Sequence, residues 1–208
     1  SHPFMLSYCH SRTSRLTLLA GAKYRYDRAR LEHADQNPMH DIVVPDWLEN
    51  PALFSAQPLE LSQVPAHLKP WVELQDSMTA QLACHFGRQP QVMVHSSCAS
   101  TLLHWEVARL GADQAAAADG YARHISLNVD ANAVLVARSI TTLGSAVEPL
   151  LSRLQRTPLA KVLFEDSRWQ RTGTILPLMS ATKNVGRACT WRDQRSGDAL
   201  VVEEFFLF

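Results

Sequence analysis

The stretch YARHISLNVDANAVLVARSI, residues 121–140, alternates with a period of two, and this commits it to a pair of β-strands joined by a tight turn. Strands are expected over residues 121–129 and 133–142, with the turn near 130–132. Tyr121, Ile125, Leu127 and Val129 share a face with Arg123, and Val134, Val136 and Ile140 share one with Arg138. In the closing LVVEEFFLF, Glu204 falls in phase with Leu200, Val202, Phe206 and Phe208. Three strands therefore each set one ionisable residue among apolar neighbours. An isolated charge in such a place costs on the order of several kcal/mol, so each needs a partner.

A turn centred on Asp130–Ala131 puts Arg123 nearly opposite Arg138, and like charges facing each other weaken a ladder. One carboxylate, Glu204, cannot neutralise two guanidiniums, so the pattern asks for an anion. The competing reading is that the arginine stems lie along apolar surface with their heads in water, or that a bulge slips the phase. Two expected helix starts, at Ser77–Met78 and at Pro158–Leu159, favour the anion, because first-turn N–H groups are unpaired and carry partial positive charge.

The remaining sequence places these strands in an α+β fold, an antiparallel sheet with helices packed on one face around an internal site. Leu74, Met78, Leu82 and Phe86 recur every fourth residue and predict a helix within 71–87, capped by Asp76 or Ser77 and stopped by Gly87. Residues 91–107 read as one or two strands, and 111–120 as a small-residue loop. Helices are expected over 145–155 and from Thr157, with Thr157 as N-cap and Pro158 in the first helical position, and a hairpin around Ser196–Gly197 closes the chain. Residues 1–64 differ: early arginines are followed by Pro38, Pro45, Pro51 and Pro58, which suits a partly ordered extension docked by Trp47, Leu48, Leu53 and Phe54 onto a domain of residues 65–208.

Composition removes other classes. With 46% hydrophobic and 19% charged residues the chain suits a packed domain rather than a disordered one. Zero formal net charge gives no overall reason for a nucleic-acid partner, and no apolar run reaches the roughly 20 residues of a membrane span. Cys9, Cys84, Cys98 and Cys189 form no C-x-x-C pair and read as free thiols, and the nine histidines lack metal-site spacing. No phosphate-binding glycine loop, dinucleotide fingerprint or G-x-S-x-G motif occurs.

Four landmarks, LQDSMT (74–79), VARS (136–139), TPLAKVLF (157–164) and LVVEEFFLF (200–208), together resemble those of the chorismate lyase family in order and spacing. The resemblance implies an enclosed site that converts chorismate to 4-hydroxybenzoate and pyruvate for ubiquinone synthesis, with no cofactor and no metal. It implies that the backbone amides of Met78 and Leu159, with Arg123, hold the ring carboxylate. Glu204 would accept the ring hydroxyl, and Arg138 would line the inner pocket near the enolpyruvyl group. A cytoplasmic monomer is expected, with chorismate and 4-hydroxybenzoate as its small-molecule partners. The alternative is a non-catalytic domain of the same fold that binds an aromatic acid. The family's Arg-Arg-Ser triplet reads here Arg187, Ala188, Cys189.

Overall fold

A computed structural model describes residues 45–51, 54–112 and 119–208. The arginine-rich stretch 1–44, Cys9, Leu53 and most of the 111–120 loop lie outside the described residues. A short helix, α1 (Asp46–Glu49), opens the described chain, followed by strand β1 (Ala56–Pro58) and a 3-10 turn at Leu61–Gln63. Helices α2 (Lys69–Val72) and α3 (Met78–Phe86) come next, then β2 (Gln91–Thr101), α4 (His104–Leu110), β3 (Asp119–Val129) and β4 (Asn132–Thr142). Helices α5 (Glu148–Arg153) and α6 (Leu159–Glu165) precede β5 (Trp169–Ser180), β6 (Val185–Asp193) and β7 (Ala199–Phe206).

The seven strands form one antiparallel sheet in the order β1-β5-β6-β7-β4-β3-β2. The α+β class is the expected one. Helices α3, α5 and α6 cover one face, where Met78, Leu82, Leu151, Leu159 and Leu163 are buried against the sheet. The other face is covered as well, by Trp47 and Leu48 of α1 and by Val107 and Leu110 of α4, which pack on Val136, Ile140 and Phe205. Central strands are consequently buried on both sides: every residue of β4 between its two ends is buried. Among the described residues no helix is long and apolar enough to cross a membrane.

Local signals explain the helix that matters most for the site. Ser77 is the N-cap of α3, its side-chain oxygen accepting from the Ala80 amide at 3.3 Å, and Gly87 ends the helix in the left-handed region. The expected single element over 71–87 is instead two helices parted by a bend, so Leu74 falls between them. At α6 the cap is Pro158 rather than Thr157, because Pro158 holds ψ at 128° and the helix begins only at Leu159. The expected strand reading of 91–107 holds to Thr101, beyond which the chain turns into α4.

The β3–β4 hairpin corrects one inference. Its two-residue turn is Asp130–Ala131, with φ of 50° and 71°, the conformation that favours a tight right-twisted hairpin. Pairing begins as anticipated, with Val129 opposite Asn132 and Asn128 opposite Ala133. A bulge then intervenes: Leu127 pairs with Leu135, so Val134 is an extra residue in β4. From there on the register is shifted by one. Arg123 faces Ser139, not Arg138, and Arg138 faces His124. Because neighbouring side chains on a strand point to opposite faces, this single residue sends the two arginines to different sides of the sheet.

Candidate active site

The face beneath α3 and α6 holds a pocket, part of it open to solvent. Its floor is the sheet: Ile125 of β3, Ala137 and Ser139 of β4, Val202 and Glu204 of β7, and Arg187 and Cys189 of β6. Its roof includes Met78, Leu159 and Leu163, and Arg171 and Trp191 close one side. Apolar walls with a few convergent polar groups are what a small-ligand site requires.

Arg123 lies on the face of the sheet that floors this pocket, without itself lining the wall. It sits opposite Ser139 in the ladder, and its Nη2 donates to the carbonyl oxygens of Gln155 at 2.6 Å and Thr157 at 3.2 Å, the residues leading into Pro158. The residue is 1% exposed, and its Nε and Nη1 are buried without a hydrogen-bond partner. Burial lowers its pKa to about 10, which leaves it cationic at neutral pH. A guanidinium in this state keeps Nε and Nη1 as unsatisfied donors, each able to donate to an anion.

The two helix starts meet here. Met78 and Leu159 are the first residues of α3 and α6, so their amides have no acceptor within the helix, and both line the pocket. The pocket wall thus brings together Met78, Leu159 and Glu204, with Arg123 on the same face of the sheet opposite Ser139.

Glu204 does not stand alone. It pairs across the ladder with Arg187, whose Nε donates to Glu204 Oε2 at 2.7 Å. The same guanidinium donates to the carbonyl oxygens of Trp71 and Leu74, so it fastens the bend before α3 to the sheet. Arg171 repeats the device from β5: one nitrogen donates to the Gln75 carbonyl, the guanidinium lies 5.5 Å over the Trp191 ring, and its Nη1 is buried without a partner. Burial pushes the Cys189 thiol up, with Arg187 and Arg171 opposing that rise.

Arg138 is elsewhere, because the bulge turns it to the opposite face. It does not line the pocket beneath α3 and α6. It is 1% exposed and contacts Glu106 of α4, Glu203 of β7 at 3.0 Å, Ser100 Oγ at 3.3 Å and the Thr101 carbonyl at 3.2 Å, with the Phe54 ring 4.3 Å away. Glu106 spends its second oxygen on the Leu103 amide at 2.6 Å. Burial lowers the pKa of Arg138 and raises that of Glu203, each partly restored by the other. Two carboxylates balance the charge of this cation from within the fold, while its Nε is left without a partner.

The alternation rule that singles out Arg123 also marks Arg187, which falls in phase with Val185, Cys189 and Trp191. Arg171 is harder to find. Its strand is interrupted between Thr172 and Leu176, where the register shifts, and it contains Gly173 and Pro177.

The family model for chorismate lyase matches residues 34–208. No curated protein matches the sequence. Among solved structures, the chain is similar to PhnF from Mycobacterium smegmatis, 13% identical over 64% of this chain and 64% of that chain, with a TM-score of 0.43. The effector domain of the same PhnF is 13% identical over 72% of this chain and 91% of that one, also at 0.43. A possible transcriptional regulator, YydK from Bacillus subtilis subsp. subtilis str. 168, is 6% identical over 56% and 57%, at 0.37. The family match takes in every strand and helix that shapes the pocket, and the chain belongs to the chorismate lyase family.

Proposed function

We propose that this protein is a chorismate lyase, a cofactor-independent enzyme that converts chorismate to 4-hydroxybenzoate and pyruvate, the opening step of ubiquinone synthesis, as a cytoplasmic monomer. The observation that carries the proposal is the unfinished Arg123. It is a fully buried cation with two unpartnered nitrogens, held by the carbonyls that lead into α6, on the sheet face that floors an apolar pocket.

In this reading the ring carboxylate lies between Arg123 and the amides of Met78 and Leu159. The ring lies on Ile125, Ala137 and Val202. The C4 hydroxyl donates to Glu204, which Arg187 holds in place. The reaction breaks the bond between C3 and the ether oxygen and removes the C4 hydrogen as a proton. The C4–H electron pair becomes the last double bond of the aromatic ring. The ether oxygen leaves as enolpyruvate, which takes up a proton at its methylene carbon to become pyruvate. Aromatisation makes the reaction downhill, so the protein has to hold the reactive conformer and stabilise the negative charge that grows on the departing oxygen. The cationic wall formed by Arg171 and Arg187 lies on the Glu204 side of the pocket and suits that charge. Arg138, its charge balanced by Glu106 and Glu203, acts as a positioning residue that fixes β4 from behind.

The test is direct. Purified protein is incubated with chorismate, and pyruvate and 4-hydroxybenzoate are followed. Equimolar formation of both supports the proposal. Tight binding of 4-hydroxybenzoate without turnover replaces it with a non-catalytic aromatic-acid-binding role for the same pocket.

A further inference from the structure

We infer that Arg171 is the specificity-determining anchor for a second carboxylate, so that the pocket selects an aromatic or cyclohexadiene diacid over a monoacid. The inference rests on the chorismate reading and deepens it. Three guanidiniums, Arg123, Arg171 and Arg187, serve this face, and the pocket wall carries one carboxylate, Glu204. Arg187 is spent on Glu204 and on two backbone carbonyls. Arg123 takes one anionic group. The remaining positive charge belongs to Arg171, whose Nη1 is buried without a partner while the rest of the guanidinium is fixed by Gln75, stacked on Trp191 and set beside the Cys189 thiol. A cation held in place by one carbonyl and one ring, with a free donor in the wall of a pocket, is preorganised for an anion.

The spacing agrees. Arg123 lies on β3 and Arg171 on β5, four strands apart on the same face, with Glu204 between them. In a flat sheet that is about 19 Å between backbones. Two arginine side chains reaching inward shorten the gap to the scale of a small diacid. A ring with its carboxylate on Arg123 and its para hydroxyl on Glu204 directs a meta ether arm to one side, and an acid at the end of that arm meets Arg171. Arg138 cannot take this role, because its charge is already matched on the far face.

The experiment measures equilibrium binding of two probes that cannot be eliminated: 4-hydroxybenzoate, and 3-(carboxymethoxy)-4-hydroxybenzoate, which carries a second acid on an ether arm. Arg171→Gln is expected to weaken the diacid by about 30-fold or more and 4-hydroxybenzoate by less than about threefold. Arg123→Gln is expected to weaken both. Arg171→Lys, which keeps the charge but loses the fork, is expected to fall between parent and Arg171→Gln for the diacid alone, and it serves in its place if the glutamine variant does not fold. Equal losses for both probes, or none for either, overturn the inference, since Arg171 then acts only through the bend at Gln75 or not at all. A parent that turns over chorismate while Arg171→Gln keeps its selectivity leaves the lyase reading standing and removes this one. A parent without turnover whose preference for the diacid depends on Arg171 does the reverse. A parent that binds neither probe overturns both.

Discussion

The two faces of one sheet treat buried arginine in opposite ways. Behind the sheet, Arg138 meets Glu106 and Glu203, a serine hydroxyl and a carbonyl, and the cluster carries its own counter-charges. In front, Arg123 meets only two carbonyl oxygens and keeps two donors unused. Both side chains are equally buried. The difference between the two is the counter-charge: Arg138 has two carboxylates against it, and Arg123 has neutral carbonyl oxygens only. Structural charge is paid for within the fold, and charge kept for a ligand is left open.

The sharpest way to break that comparison is catalytic. Arg123→Gln is expected to lower kcat/KM for chorismate by about 10²–10³-fold, and Glu204→Gln to lower kcat with a smaller change in product affinity. Steady-state assays of pyruvate release check both. Parent-like rates in the two variants would show that the front face is not the reactive one.

The next effect is on stability and should divide the two arginines. Arg138→Met leaves two carboxylates around an apolar side chain and is expected to cost about 3–5 kcal/mol. Replacing Glu106 and Glu203 by Leu in the same chain should recover most of that loss. Arg123→Met removes an incompletely satisfied cation and is expected to change the stability of the ligand-free protein by about 1 kcal/mol or less. Urea denaturation at pH 7 measures each. Similar losses for Arg138→Met and Arg123→Met would remove the distinction.

The rear face also gives a pH signature. Burial, with His95 adding to it, pushes His124 down to about 4, from an ordinary value of 6.5. Below pH 6.5 the unfolded chain binds a proton that the folded chain refuses. The contribution of His124 is therefore complete above pH 6.5 and is lost as pH falls towards 4. Glu203 runs the other way. Burial raises it, so the folded chain keeps a proton that the unfolded chain releases above the ordinary carboxylate range. Its contribution is present at acid pH and is lost as pH rises through the raised value. Glu203 masks part of the His124 effect in the shared window. His124→Gln should flatten the acid limb, sparing about 2–3 kcal/mol between pH 7 and 4.5, as read from denaturation midpoints at the two pH values.

A smaller effect concerns how closely the strands approach beside the site. A Cβ on Gly186 would sit 2.3 Å from the Glu204 carbonyl oxygen and 2.6 Å from the Phe205 ring. Gly186→Ala must part β6 from β7 where Arg187 meets Glu204, at an expected cost of about 1–3 kcal/mol and with weaker ligand binding. Smallest of all, Ala131→Gly relieves a left-handed alanine in the β3–β4 turn and is expected to gain roughly 0.5–1 kcal/mol without touching turnover.

Much of this was legible in the chain itself, and the failures have specific causes. Ser77 and Gly87 announced α3 through cap chemistry, and alternation announced β3, β4 and β7. The helix α4 was missed because it begins after Leu103, which offers no side-chain oxygen as a cap, and its charged Glu106 is turned inward to Arg138. β5 was missed because Gly173 and Pro177 interrupt its period. Alternation with a plain two-residue turn sets Arg138 opposite Arg123, and nothing in the pattern marks the extra Val134 that turns it to the other face. In a sheet covered on both sides both faces read as apolar. Only partner geometry separates them, and that geometry depends on α4.

The extra Val134 in β4 has a consequence for this hairpin as an evolving object. Its length acts as a selector with two positions. A chain shorter by that one residue, with the same turn, would bring Arg138 round to the chamber and leave Glu106 and Glu203 without a cation. Relatives that differ by a single insertion or deletion here would share nearly every side chain yet present a different charge to the substrate. Sequence alignments across this loop therefore need to be read by ladder register rather than by residue identity.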